Sequence, residues 1–157
     1  MAVADCPPGC TVTSRRKTRE LALSAIYEIE VGKHDPDEVI ARTIEMQGVE
    51  PPADEFLRNA VGLAWEKREK VDEIIEKLAV GWKLERIARI DLAILRLAIV
   101  ELLIGLEEPP PGDPVVINEA VVLAKKFSTE DSGKFVNGIL ASVVKEKEKY
   151  RAMLGIE

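Results

Sequence analysis

The run SRRKTRELALSAIYEIE carries four cations, Arg15, Arg16, Lys17 and Arg19, in a chain whose formal net charge is −6. Clustered arginines and lysines are the side chains that hold phosphates. Read as the start of a helix, the run puts them at the end where the macrodipole is already positive, and each misplaced charge costs about a few tenths of a kcal/mol. Replacing Arg16 and Arg19 by glutamine is therefore expected to leave folding stability unchanged or slightly higher. Tyr27 falls at nearly the same angular position as Arg16 on a 3.6-residue helix, in a row Arg16–Glu20–Leu23–Tyr27 that lies off the apolar stripe Ala22–Ala25–Ile26–Ile29. Cations that run into a ring on one face suit single-stranded RNA, with phosphates on the basic end and a base stacked on the aromatic. Two plainer readings stand beside this one: a solvated charge run, and a tyrosine packed between two halves of the fold.

A second chemistry-bearing stretch is STEDSGKFVNGIL, residues 128–140. Ser128 or Thr129 can cap a helix whose first turn holds Glu130 and Asp131, where acids suit the dipole. Gly133, Asn137 and Gly138 then sit inside that helix, where each glycine costs about 0.5–1 kcal/mol against alanine. Lys134, Asn137, Gly138 and Ala141 share one face. Tight packing around a satisfied, buried asparagine accounts for Asn137 and Gly138. It accounts less well for Gly133 and Lys134, which with Phe135 offer backbone, cation and ring to a ligand in one turn.

Other chemistries lack their parts. There is no glycine-rich phosphate loop, no nucleophile with a partnering histidine and no metal-ligand cluster, so no catalytic residue, cofactor or metal is expected. Cys6 and Cys10 are separated by three residues, and the single histidine, His34, is far away. The segment up to Thr13 reads as a loose leader with incidental cysteines. No continuous apolar run follows Met1 to suggest a signal peptide. The greasy stretch from Leu92 to Leu106 is too short for a bilayer and is interrupted by Arg96 and Glu101. A cytoplasmic protein with no membrane contact is expected.

The elements that must position these residues read as helices throughout. The chain has 157 residues, 46% hydrophobic but 4% aromatic, which calls for an aliphatic core. Six helical segments are predicted: Ser14 to Val31, stopped by Gly32; Pro36 to Gln47, capped by Asp35; a third after the loop Gly48 to Asp54, running to about Val80 with a break near Lys70; Leu84 to Gly105; a fifth opened by Asp113–Pro114 and ending near Phe127; and Glu130 to Arg151. The fourth is apolar almost all round and must be buried on most sides. No segment alternates as a strand. The expectation is an all-α protein of two three-helix bundles, residues 14–80 and 81–157, sharing the fourth helix.

The stretches RRKTRELALSAIYEIE, ARIDLAILRLAIVELL and VVINEAVVLAKKFSTEDSGKFVNGIL resemble the NusB family of bacterial transcription antitermination factors, from about Ser14 to Val144. The resemblance implies two three-helix bundles that bind boxA RNA in nascent transcripts. It implies a partner, NusE (a small-subunit ribosomal protein), and membership of the complex that keeps RNA polymerase transcribing ribosomal RNA operons. The resemblance leaves open a homodimer formed through the partner surface. Carried over by residue, Arg15, Arg16, Lys17 and Arg19 would hold phosphates, and Tyr27 would lie near the RNA and partner surface. Lys134 and Phe135 would meet RNA, with Asp131 as the acidic position beside them. Asp91 would sit on the NusE-facing surface, where the family can carry Glu. The leader has no counterpart. A helical dimerisation module without RNA binding is the rival reading, and the basic helix start argues against it.

Overall fold

The computed structural model describes residues 14–156; the leader with Cys6 and Cys10 lies outside them. Among the described residues every regular element is helical: α1 (Arg15–Gly32), α2 (Pro36–Gln47), α3 (Ala53–Glu66), α4 (Arg68–Leu78), α5 (Arg89–Leu103), α6 (Asp113–Phe127), α7 (Glu130–Lys145) and α8 (Lys147–Met153). A 3₁₀ turn, Leu84–Arg86, leads into α5.

Local chemistry sets most of these boundaries. Ser14 caps α1 by accepting from the Lys17 amide, Asp35 caps α2 through the Glu38 amide, and Thr129 caps α7 through the Ser132 amide. Each satisfies an amide the helix leaves unpaired. At the end of α1 the left-handed residue is Lys33, at φ 56°, rather than the glycine before it. Gly32 serves the return of the chain instead: a Cβ there would stand 2.6 Å from the His34 ring. Three predicted boundaries move. The third segment divides at Lys67, three residues before the expected break, where the Arg68 guanidinium bonds the Trp65 carbonyl at 2.6 Å. The fourth is interrupted by extended backbone at Ile87 and Ala88, so α5 begins at Arg89. The sixth divides at Glu146. At α6 the cap is Gly112, and the Asp113 carboxylate is taken by Lys147 at 2.8 Å.

Helices α1, α2 and α3 pack on one another, as do α5, α6 and α7, and α5 also lies against α1, α3 and α4. From Asp91 to Leu103 every residue of α5 is buried. The core is aliphatic, with Phe56 and Tyr150 the large rings inside it. Burial on all sides makes the charges on α5 conspicuous. Arg96 reaches Glu30 of α1 at 2.7 Å and Asp72 of α4 at 2.7 Å. Glu101 receives two bonds from Arg19 of α1, at 3.0 and 2.6 Å. A buried charge without such a partner would cost several kcal/mol.

The outer face of α7 departs from the packing expectation. Asn137 and Gly138 are exposed, and a Cβ on Gly138 would meet nothing within 4 Å. The close approach is at Gly133 instead, where a Cβ would stand 3.1 Å from Lys125 Cγ and 3.6 Å from Val121 Cγ1. Gly138→Ala should therefore stabilise the fold by about 0.5–1 kcal/mol, through helix propensity alone. In thermal unfolding this is a rise of about 1–4 °C. A drop would show that position 138 packs against something.

Candidate nucleic-acid interface

The four cations at the start of α1 do not act as one group. Position 19 continues the apolar stripe, three residues before Ala22 and seven before Ile26, so Arg19 points inward and is only 5% exposed. Both Glu101 oxygens hold it, and its guanidinium lies 5.6 Å from the Phe56 ring centre. Arg19 cannot also hold a phosphate at the surface, and the expected role is withdrawn. Arg15 is partly covered, stacked 4.1 Å over Phe56 and bonded to Glu107 at 2.9 Å.

Arg16 and Lys17 face solvent. The Arg16 side chain is 56% exposed and makes a two-pronged pair with Glu119 of α6, at 3.0 and 2.8 Å. Those hydrogen bonds, with the opposite charge, raise the Arg16 pKa and hold the Glu119 carboxyl below its ordinary value. Lys17 lies 3.9 Å from Glu20, whose other oxygen takes Lys126 of α6 at 2.7 Å. The Lys126 ammonium in turn stands 5.3 Å from the ring of Phe127, which is 46% exposed. A ridge of Arg16, Lys17 and Lys126 with the Phe127 ring thus runs across the α1–α6 seam, each cation held by a carboxylate. Sequence reading missed Lys126 and Phe127, although the tripeptide KKF immediately before STED carried the same basic-aromatic signal as the first helix.

Tyr27 is 39% exposed and lies on the same side of α1 as Glu30, three residues on. Glu30 bonds Arg96 and stands 3.4 Å from Arg89, at the start of α5. Arg96's hydrogen bonds overcome the burial of Glu30 and lower its pKa.

The start of α7 meets the start of α5 at a cleft of about 370 Å³ lined by Trp82, Arg86, Asp91, Asp131, Ser132 and Phe135, with Ile87 and Ala88. Asp91, expected on an open partner-facing surface, is 7% exposed at the cleft wall. Burial of α5 on every side draws it in, and Ser132 Oγ donates to its Oδ2 at 2.7 Å. Only a group that enters the cleft can reach it. Asp131 is exposed at the rim and Phe135 half-buried. Lys134 turns away, because neighbours in sequence are about 100° apart on a helix. It lines a separate groove between α6 and α7 with Pro114, Ile117, Asn118, Val121 and Lys125. Lys134 and Phe135 are therefore not one contact pair. Trp82 and Arg86 were also missed by sequence reading.

A model of the NusB family matches residues 16–145 of this chain. The chain belongs to the NusB family. Its curated NusB relatives include transcription antitermination protein NusB of Symbiobacterium thermophilum, 43% identical over 140 residues, covering 84% of this chain and 90% of the relative. That of Roseiflexus sp. is 41% identical over 137 residues, covering 87% and 96%. Among solved structures, T. maritima NusB superposes with a TM-score of 0.78 at 33% identity, covering 89% of this chain and 99% of that one. NusB in a crystal structure with NusE and double-stranded RNA superposes with a TM-score of 0.73 at 29% identity, covering 83% and 96%. The all-α NusB architecture is thus shared, and both the α1–α6 ridge and the α5–α7 cleft are formed by residues inside the matched segment.

Proposed function

We propose that this chain is an RNA-binding transcription antitermination factor that binds boxA RNA together with NusE and supports processive transcription of ribosomal RNA operons by RNA polymerase. The reading is carried by membership of the NusB family over residues 16–145 together with the fold shared with NusB in a NusB–NusE–RNA complex. It is a binding function rather than a catalytic one. On this reading the protein acts on the nascent transcript, and the compartment it implies is the cytoplasm.

Arg16, Lys17 and Lys126 supply the electrostatic part of this interface, with Arg15 behind them. Tyr27 and Phe127 are exposed rings on the same two helices, available for stacking, each base–ring contact being worth about 1–3 kcal/mol.

Because each ridge cation already has a carboxylate, RNA must displace it. Arg16→Gln should weaken boxA RNA binding and make the slope of log affinity against log salt shallower by about 0.7, the share of one single-strand phosphate contact. Glu119→Gln should act oppositely, freeing Arg16 and tightening binding on the order of threefold at low salt. Fluorescence titrations of a boxA RNA against both variants at several salt concentrations measure this. If Glu119→Gln binds no better and Arg16→Gln keeps the original slope, phosphate does not bind at the ridge.

A further inference from the structure

We propose that the groove between the outer faces of α6 and α7 docks a short acidic and aliphatic segment of a protein partner, its carboxylates on Lys125 and Lys134 and its apolar side chains on Ile117 and Val121. The inference goes beyond the RNA-binding reading and does not rest on it. The ridge lies on the α1 side of α6, where Glu119 and Lys126 reach Arg16 and Glu20, and the groove lies on its α7 side.

The groove encloses about 540 Å³. Its apolar lining is the exposed Pro114 with the half-buried Ile117 and Val121, and its polar side chains are Asn118, Lys125, Lys134 and Asn137, all exposed. Each cation of the ridge is held by a carboxylate of its own chain. None of these four side chains forms a hydrogen bond or ion pair within the described chain. No Asp or Glu lines the groove either, in a protein of net charge −6. An acid that the rest of the surface repels therefore finds two unpaired ammonium groups here.

Two glycines of α7 shape the site. A Cβ on Gly133 would stand 3.1 Å from Cγ and 3.2 Å from Cε of Lys125, so the bare backbone lets the lysine stem cross from α6 and lie on α7. The stem covers apolar surface while its charged end stays in water beside the α7 wall. Gly138, one turn beyond Lys134, leaves the rim low, since a Cβ there would meet nothing within 4 Å. It weakens the helix, and no contact in the fold requires it. A segment that lies close against the backbone does.

The lining disfavours other occupants. It holds no aromatic ring, so a base has nothing to stack on. A free phosphate would meet the ammonium groups and leave the aliphatic floor in water. A second copy docked across a two-fold axis would set four lysines in one interface with no carboxylate from the groove among them. Pro114 and Lys125 stand eleven residues apart on α6, about 16 Å, which is three turns of a docked helix. An amphipathic helix of that length, with aliphatic anchors facing inward and acids at its edge, fits a groove between two helices.

A fluorescein-labelled peptide of about eleven residues, with leucines at helical spacing and glutamates between them, is the probe. It should bind the full chain, and replacing its leucines by serine should weaken binding at least tenfold, on the order of one buried leucine. Lys125→Gln combined with Lys134→Gln should weaken it about fivefold, the scale of two exposed ion pairs. Asn118→Glu, at an exposed position, should weaken it about threefold, and Asn118→Lys should tighten it by a similar factor, with melting temperatures unchanged. Arg16→Gln should leave the peptide affinity as it is. No binding of the peptide at about 1 mM, a weak affinity on any scale, would overturn the proposal, as would affinities indifferent to Lys125, Lys134 and Asn118. If the double lysine variant lost boxA RNA as steeply as Arg16→Gln does, the groove would belong to RNA and the proposal would be wrong. A dimer of this chain that Asn118→Glu dissolved would give the groove to a second copy and overturn it equally.

Discussion

Arg19→Gln is expected to destabilise the protein by about 3–5 kcal/mol, as measured by chemical denaturation, although it removes a cation from the unfavourable end of a helix dipole. The dipole term is worth at most about 1 kcal/mol at the surface. Against it stands Glu101, buried and held by the two bonds of the Arg19 guanidinium. Deleting one member of a buried pair leaves the other charge uncompensated, which is where the larger figure comes from. The expectation from sequence, that Arg16 and Arg19 could both become glutamine at no cost, is therefore kept only for Arg16. Replacing both partners, as Arg19→Met with Glu101→Leu, should recover most of the loss, since apolar residues of similar volume cost little in place of a buried pair. If the single variant unfolds at the same denaturant concentration as the parent, the pair contributes nothing and Arg19 is free to leave its site.

Arg96→Met is expected to cost about 3 kcal/mol, near the lower end for a buried pair because Glu30 and Asp72 keep some contact with water. Its pH dependence is more diagnostic than its size. Burial opposes the charge on Arg96, but hydrogen bonds to Asp72 and Glu30 outweigh burial and raise its pKa. The same bonds depress the pKa of Glu30 in the folded state. A depressed carboxyl contributes stability that is fully present above its unfolded-state pKa and is lost as pH falls through the folded-state value. The parent should thus lose part of its advantage over Arg96→Met below the ordinary glutamate range. The gap between the two proteins, followed by denaturation at neutral and at acid pH, should narrow. A gap that stays constant would mean that Glu30 is not stabilised by Arg96.

The helices were legible from periodicity and caps, and α5 announced its burial by being apolar all round. Reading clusters along the sequence instead of around the helix is what misplaced individual residues. Arg19 was grouped with Arg15, Arg16 and Lys17 by adjacency, yet its spacing to Ala22 and Ile26 already put it on the buried stripe. Lys134 and Phe135 were paired for the same reason and face different clefts. Asp91 belongs to the run that the apolar pattern had already assigned to the interior. The Glu119–Arg16 and Lys126–Glu20 pairs join residues about a hundred positions apart, and no local pattern encodes them. Trp82 and Arg86 become a lining only once the 3₁₀ turn brings them beside α7.

Two of the ion pairs between α1 and α5, those whose cation is buried, carry opposite polarity: α1 supplies the cation at Arg19 and the anion at Glu30, while α5 supplies Glu101 and Arg96. Docking α1 end for end would set Arg19 against Arg96 and Glu30 against Glu101, two repulsions in a dry seam. The seam is therefore keyed, admitting α1 in one direction and one rotation. Fixing that rotation also fixes the azimuth of every other residue on α1. With Arg19 anchored inward, the backbone positions of Arg16 and Lys17 are turned outward, and the carboxylates of Glu119 and Glu20 take side chains already aimed at them, so the bearing of the ridge is set from inside the core.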